Sequence, residues 1–203
     1  DGRRRHTGTL GHIGCTSFFP SKNLGCYGDG GALFTDDPAL AERIRMTANH
    51  GQRVKYHHDV VGCNSRLDTL QAAVLEVKLR HLDEYCAARG EAAARYRALL
   101  SGTEGIELPA ETSYSTHVYH QFTLKVAGGR RDALKEHLAS RGIPSMIYYP
   151  LPLHHQQAYR QEGLSLPAAE DLAQSVLSLP MHTELTAGVQ ERIAEAVKDF
   201  FRK

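Results

Sequence analysis

Lys22 stands in unusual company. In SFFPSKNLGCYGDGGALFT, residues 17–35, it follows Phe18, Phe19 and Pro20 and precedes Gly25, Gly28, Gly30 and Gly31. Surface lysines usually sit among charges and helix formers, whereas apolar surroundings favour the neutral, nucleophilic amine. Glycines this dense mark a backbone that turns sharply or approaches another group closely, since only glycine adopts positive φ cheaply. A lysine forming a Schiff base beside a phosphate-bearing cofactor needs both features. Composition alone leaves a second reading open: strand, turn and strand, with Lys22 extending its amine to water.

Two other chemistries are weighed and set aside. A P-loop running from Gly14 to Lys22 fails, because the second glycine before the lysine and the Ser/Thr after it are absent. Twelve histidines, among them His57-His58, His117 with His120, and His154-His155, invite a metal. Adjacent histidines on a strand point to opposite faces, and no HExxH or cysteine set accompanies them, so a metal site is not expected.

These residues need elements to position them. The runs from His12 to Phe19 and from Gly31 to Thr35 read as strands, with Lys22 in the connection. Asp36 and Asp37 before Pro38 start a helix, whose stripe of Leu40, Ile44 and Ala48 carries it to Asn49. A long polar loop, GQRVKYHHDVVGCNSRLD, follows, and long loops in compact domains tend to be functional. From Leu67 to Leu100 the pattern is helical, with Leu70, Val74, Val77 and Leu82 on one face and a bend expected near Gly90. Strands are expected at Ile106 to Leu108, Val118 to Val126 and Pro144 to Tyr149, with a turn at Gly128-Gly129. Helices are expected at Arg131 to Ser140, Ala168 to Leu177 and Thr186 to Phe201.

The chain has 203 residues, 41% of them hydrophobic, enough for a sizeable core in one large or two small domains. Lys and Arg number 24 against 23 Asp and Glu, so no excess positive charge exists to hold nucleic acid or an anionic membrane. No apolar run approaches a membrane span and no leader pattern is seen, which reads as cytoplasmic. The four cysteines, without paired metal spacing, read as reduced thiols.

The blocks GTLGHIGCTSFFPSKNLGCYGDGGALFTDDPALAERIRMTANHGQ, VVGCNSRLDTLQAAVLEVKLRHLDEY and PSMIYYPLPLHHQQAY, in this order, resemble the DegT/DnrJ-type sugar aminotransferases. The resemblance implies a pyridoxal 5'-phosphate enzyme of α/β fold type I. It is nearest the branch that aminates the 3-keto position of UDP-linked sugars or uronic acids for amino-sugar or cell-surface polysaccharide synthesis. Family members place a phosphate loop, a ring-stacking aromatic and an aspartate for the pyridine nitrogen ahead of this region. None can be assigned here, and the chain begins with Asp1. The expectation is therefore the C-terminal part of the large domain, residues 1–85, followed by an interdomain helix and the small α+β domain, residues 86–203.

Residue by residue, Lys22 matches the family's Schiff-base lysine. A dehydrating branch carries histidine there, so Lys22 implies transamination, with glutamate as the amino donor. Ser17 matches a serine that reaches the cofactor phosphate, although a solvent-facing strand serine is the alternative. Asn64 matches an asparagine that reaches the phosphate of the neighbouring subunit, which implies a homodimer; helix capping by Asn64 and Ser65 stays open beside it. Tyr148, Tyr149 and His154 match the block facing the sugar nucleotide, or else form a proline-anchored turn with packed tyrosines. Arg66 could meet a donor carboxylate or a uronate, or pair with Asp68. A different class of function also remains: a catalytically inactive piece serving dimerisation or nucleotide-sugar binding.

Overall fold

The computed structural model describes residues Arg3–Arg202. It forms two compact units that divide between Asp83 and Glu84. Among the described residues no helix is long and apolar enough to cross a membrane.

In the first unit, β1 (Gly14–Ser17) and β2 (Gly31–Phe34) pair antiparallel, Ser17 opposite Gly31. Helix α1 (Pro38–Ala48) begins where sequence chemistry places it. Asp37 accepts the Ala39 and Leu40 N–H groups, and Pro38 occupies the first turn, where a missing N–H costs nothing. The polar stretch after it contains a small hairpin that periodicity does not show, β3 (Gln52–Val54) with β4 (His57–His58). Its base is held by two interlocked glycines. Gly51 has φ +76°, and a Cβ there would overlap the Val60 carbonyl, while one on Gly62 would overlap the Gly51 nitrogen.

The expected long helix is two, α2 (Thr69–Leu79) and α3 (Leu82–Leu100), and the break falls at Arg80-His81 rather than at Gly90. Gly90 lies inside α3, where helix hydrogen bonding on both sides overrides its flexibility. The stripe read as the core face is also displaced. Leu75 is the buried residue of α2, while Leu70 and Val77 are 79% and 59% exposed.

The second unit is built on a three-stranded antiparallel sheet in the order β5 (Ile106–Glu107), β6 (Phe122–Val126), β7 (Val176–Leu179). Helices α4 (Arg131–Ser140), α5 (Pro167–Ser175) and α6 (Ala187–Phe201) accompany it. Tyr96, Leu100, Phe122, Leu124, Leu134, Leu138, Leu177 and Val197 are fully buried in one cluster. Buried polar groups within it are bonded: the Tyr96 hydroxyl donates to Pro180 O (3.0 Å), and Gln190 Nε2 donates to Ala92 O (2.7 Å). Burial pushes the Tyr96 phenol well up from its ordinary value. Two expectations fail here. Val176 and Leu177, read as the end of the helix from Ala168, open the strand β7, and Pro144 to Tyr149 contributes only a single bridge, Met146 to Ser178.

Candidate active site

Lys22 sits on a loop that its own backbone closes. Beyond β1, Phe18 N–H donates to Gly30 O (2.7 Å), so the pairing continues one residue past the strands. Phe18 O accepts the Cys26 N–H (2.8 Å), and Lys22 N–H closes a turn on Phe19 O (2.9 Å). The Cys26 side chain is wholly buried, its Sγ 3.0 Å from both Phe18 O and Gly28 O. The glycines serve close approach and not positive φ. A Cβ on Gly25 would lie 2.5 Å from Pro20 O and 2.8 Å from Phe19 O. On Gly30 it would come within 3.0 Å of Cys26 Sγ and of Leu67 Cδ1.

Helix α2 grips this loop from outside through two residues that sequence reasoning missed. Gln71 Oε1 accepts the Tyr27 N–H (2.8 Å), and Lys78 Nζ donates to Gly25 O (2.7 Å) while lying 4.9 Å from the Tyr27 ring centroid. The available signal was their spacing, two helical turns on one face. Lys22 itself is half-buried, and among the described residues its amine has no hydrogen bond or ion pair. Ser17, exposed at the end of β1, accepts the Phe19 N–H on Oγ (3.2 Å), which leaves its hydroxyl proton to donate.

Asn64 and Arg66 lie together in the same unit, apart in hydrogen bonding from Lys22 and Ser17. Asn64 bridges to Asn49, and its Oδ1 accepts from Arg66 Nε (3.2 Å), while its amide N–H pair has no partner among the described residues. Arg66 therefore turns to Asn64 and not to Asp68. The helix cap falls at Asp68, one residue beyond the expected Leu67 start, so neither Asn64 nor Ser65 caps α2. Arg66 lines a cavity of about 420 Å³ with His50, Arg53, Lys55 and Tyr56 among others. Its Arg53 is already neutralised by Glu42 (2.9 Å) and Asp59 (2.8 Å).

Tyr148, Tyr149 and His154 fall in the second unit. Tyr149 is 73% exposed and Tyr148 39%, so the tyrosines are not packed core. Their rings meet edge-on with centroids 5.6 Å apart. His154 is buried, and its Nε2 lies 2.9 Å from Glu170 Oε1. The same oxygen accepts the Leu166 N–H (2.8 Å) at the start of α5. These two hydrogen bonds, the backbone one first, hold the Glu170 carboxyl below its ordinary range.

The donor set of the first unit fits pyridoxal phosphate. An unpaired primary amine on a braced loop suits the aldehyde, and the free Ser17 hydroxyl suits the phosphate.

Residues 1–198 match the profile of the DegT/DnrJ/EryC1/StrS aminotransferase family. The chain is 45% identical over 201 residues to the dTDP-3-amino-3,4,6-trideoxy-alpha-D-glucose transaminase of Streptomyces venezuelae, covering 98% of the chain and 52% of that protein. It is 46% identical over 182 residues to the UDP-2-acetamido-2-deoxy-3-oxo-D-glucuronate aminotransferase of Pseudomonas aeruginosa, covering 89% and 50%. Among solved structures, S. venezuelae DesV in complex with a ketimine intermediate superposes with TM-score 0.90 at 45% identity, over 98% of this chain and 54% of that one. The chain thus spans about half the length of the curated relatives it matches. It belongs to the DegT/DnrJ/EryC1/StrS aminotransferase family, whose members are pyridoxal-phosphate-dependent enzymes of fold type I.

Proposed function

We propose that this chain carries the lysine wall of a transaminase that moves an amino group from an amino acid to carbon 3 of a keto-sugar nucleotide. One observation supports this most: Lys22 is a half-buried residue whose amine has no partner among the described residues, on a loop fixed by Cys26, Gln71 and Lys78. When bound, pyridoxal phosphate supplies the conjugated ring that takes up electrons as the amino group leaves one substrate and joins the next. The Lys22 amine would hold it as a nucleophile and would carry a proton to and from the substrate carbon on Nζ.

The first unit corresponds to the end of the cofactor-binding domain and the second to the small domain. Ser17 donates its hydroxyl proton to the phosphate. Arg66, planar and permanently charged, takes the carboxylate of the donor, for which glutamate is proposed, or that of a uronate. The free amide N–H groups of Asn64 reach the phosphate of the neighbouring subunit in a homodimer. Tyr148 and Tyr149 offer exposed phenols to sugar hydroxyls or the diphosphate, and His154 offers Nδ1, since Nε2 is held by Glu170. Both relatives described above are named for chemistry at sugar carbon 3, one on a dTDP sugar and one on a UDP sugar. A UDP-3-keto sugar or uronic acid, handled in the cytoplasm for amino-sugar or polysaccharide synthesis, is the substrate proposed.

The test is covalent trapping. Incubation with pyridoxal phosphate, borohydride reduction and peptide mass spectrometry are expected to place the cofactor mass on Lys22 and to lose it in Lys22→Ala. The half-length span favours a second reading, a sugar-nucleotide-binding or dimerisation module without chemistry. Trapping spread over many lysines, or absent, would select that reading.

A further inference from the structure

We propose that His154, His155 and Glu170 form a binding site for a borderline divalent transition-metal ion of the Zn²⁺ class. The expectation that adjacent histidines diverge holds for strands, but His154 and His155 lie in a short 3-10 turn, Leu153–His155, which sets both imidazoles on one side. Their ring centroids are 4.2 Å apart. The Nε2 atoms of both rings converge on one carboxylate oxygen, Glu170 Oε1, at 2.9 Å for His154 and 3.8 Å for His155. One ligand atom from each residue falls within 4.8 Å of the other two. An ion holding nitrogen and oxygen at about 2.0–2.2 Å brings such atoms to roughly 3–3.5 Å, so His155 Nε2 closes on Oε1 from 3.8 Å by less than about 1 Å.

The three groups differ in how firmly they are held. His154 is fixed by burial. His155 points at the carboxylate from beyond hydrogen-bonding distance, with its side chain 45% exposed, so it is free to bind and leaves an open position for solvent. Glu170 Oε1, the oxygen both imidazoles approach, also accepts the Leu166 N–H (2.8 Å) and the Ser165 hydroxyl (3.4 Å), and its second lone pair can take the ion while the helix start stays capped. Two imidazoles and a carboxylate suit Zn²⁺, Co²⁺ or Ni²⁺. Glu170 sits in the first turn of α5, where the partial positive charge opposes a cation, so micromolar affinity is expected in place of a permanently held ion.

Untagged, chelator-stripped chain, shown folded by far-UV circular dichroism, would be titrated with Zn²⁺ by calorimetry and with Co²⁺ by visible absorption. One ion per chain is expected, with Co²⁺ ligand-field bands. His155→Ala, at a half-exposed position, should weaken binding about tenfold or more while leaving the dichroism unchanged, and Glu170→Gln should do the same. Absence of saturable micromolar binding, or binding unaltered in His155→Ala, would overturn the proposal. The measurement requires neither pyridoxal phosphate nor substrate, so it stands or falls separately from transamination.

Discussion

At the scale of single residues, Lys22 is defined by what its loop cannot accommodate. The clash of a Gly25 Cβ with the Pro20 and Phe19 carbonyls is with backbone, which cannot swing away. Gly25→Ala is therefore expected to cut Lys22-specific trapping of pyridoxal phosphate by about a hundredfold, the scale of an ångström-sized misplacement at a reacting group. Equal trapping in variant and parent would show that the loop tolerates displacement. Lys78→Met, which removes a charged donor from Gly25 O, should destabilise the first unit by about 1.5–3 kcal/mol in urea melts. Lys22 and its glycines are legible in sequence because their significance is local. Gln71 and Lys78 are not, since they meet the loop from 44 and 53 residues away, and their shared helix face does not say what that face touches.

At the scale of elements, legibility follows how far away the deciding interaction lies. Helix α1 is capped by Asp37 two and three residues ahead of the N–H groups it serves, so the sequence alone predicts its start. Asp37→Ala should cost about 0.5–2 kcal/mol in the same melts. VLSL is decided by β6, through pairs such as Leu124 with Leu177, and a short apolar run carries no periodicity to separate strand from buried helix. The join between the 153–155 turn and α5 depends on ionised Glu170. Its pKa is lowered from an ordinary 4.5, so the stability it contributes is complete above that value and disappears as pH falls through the lowered one. Asp199, lowered by the Arg141 guanidinium, acts in the same direction on α4 and α6. Thermal midpoints followed from neutrality into acid should fall less steeply for Glu170→Gln than for the parent; identical slopes would remove Glu170 from the acid transition.

At the scale of the molecule, the two units differ in how completely each closes its own core. Among the described residues, Cys26, Met46 and Leu75 are the buried apolar ones of the first unit, and the rest of the buried apolar set lies in the second. The first unit meanwhile leaves Leu33, Phe34, Val61, Leu70, Val77 and Leu79 at least half exposed. Hydrogen exchange is expected to protect amides of β6, β7 and α6 most strongly, with those of β1, β2 and α2 exchanging sooner. Uniform protection across the boundary at Asp83-Glu84 would refute this. Exposed apolar surface of that extent also predicts concentration-dependent association in sedimentation velocity, and a strict monomer would count against it.

The buried thiol of Cys26 gives the lysine loop a clock. A disulfide reagent reaches the fully buried Cys26 only when the loop opens, while Cys15 and Cys63 are exposed and react without it. With Cys15, Cys63 and Cys86 replaced by serine, and reagent raised until the rate no longer climbs, the slow labelling rate of the remaining sulfur becomes the opening frequency of the loop that presents Lys22. Any ligand that grips that loop would register as a slower tick.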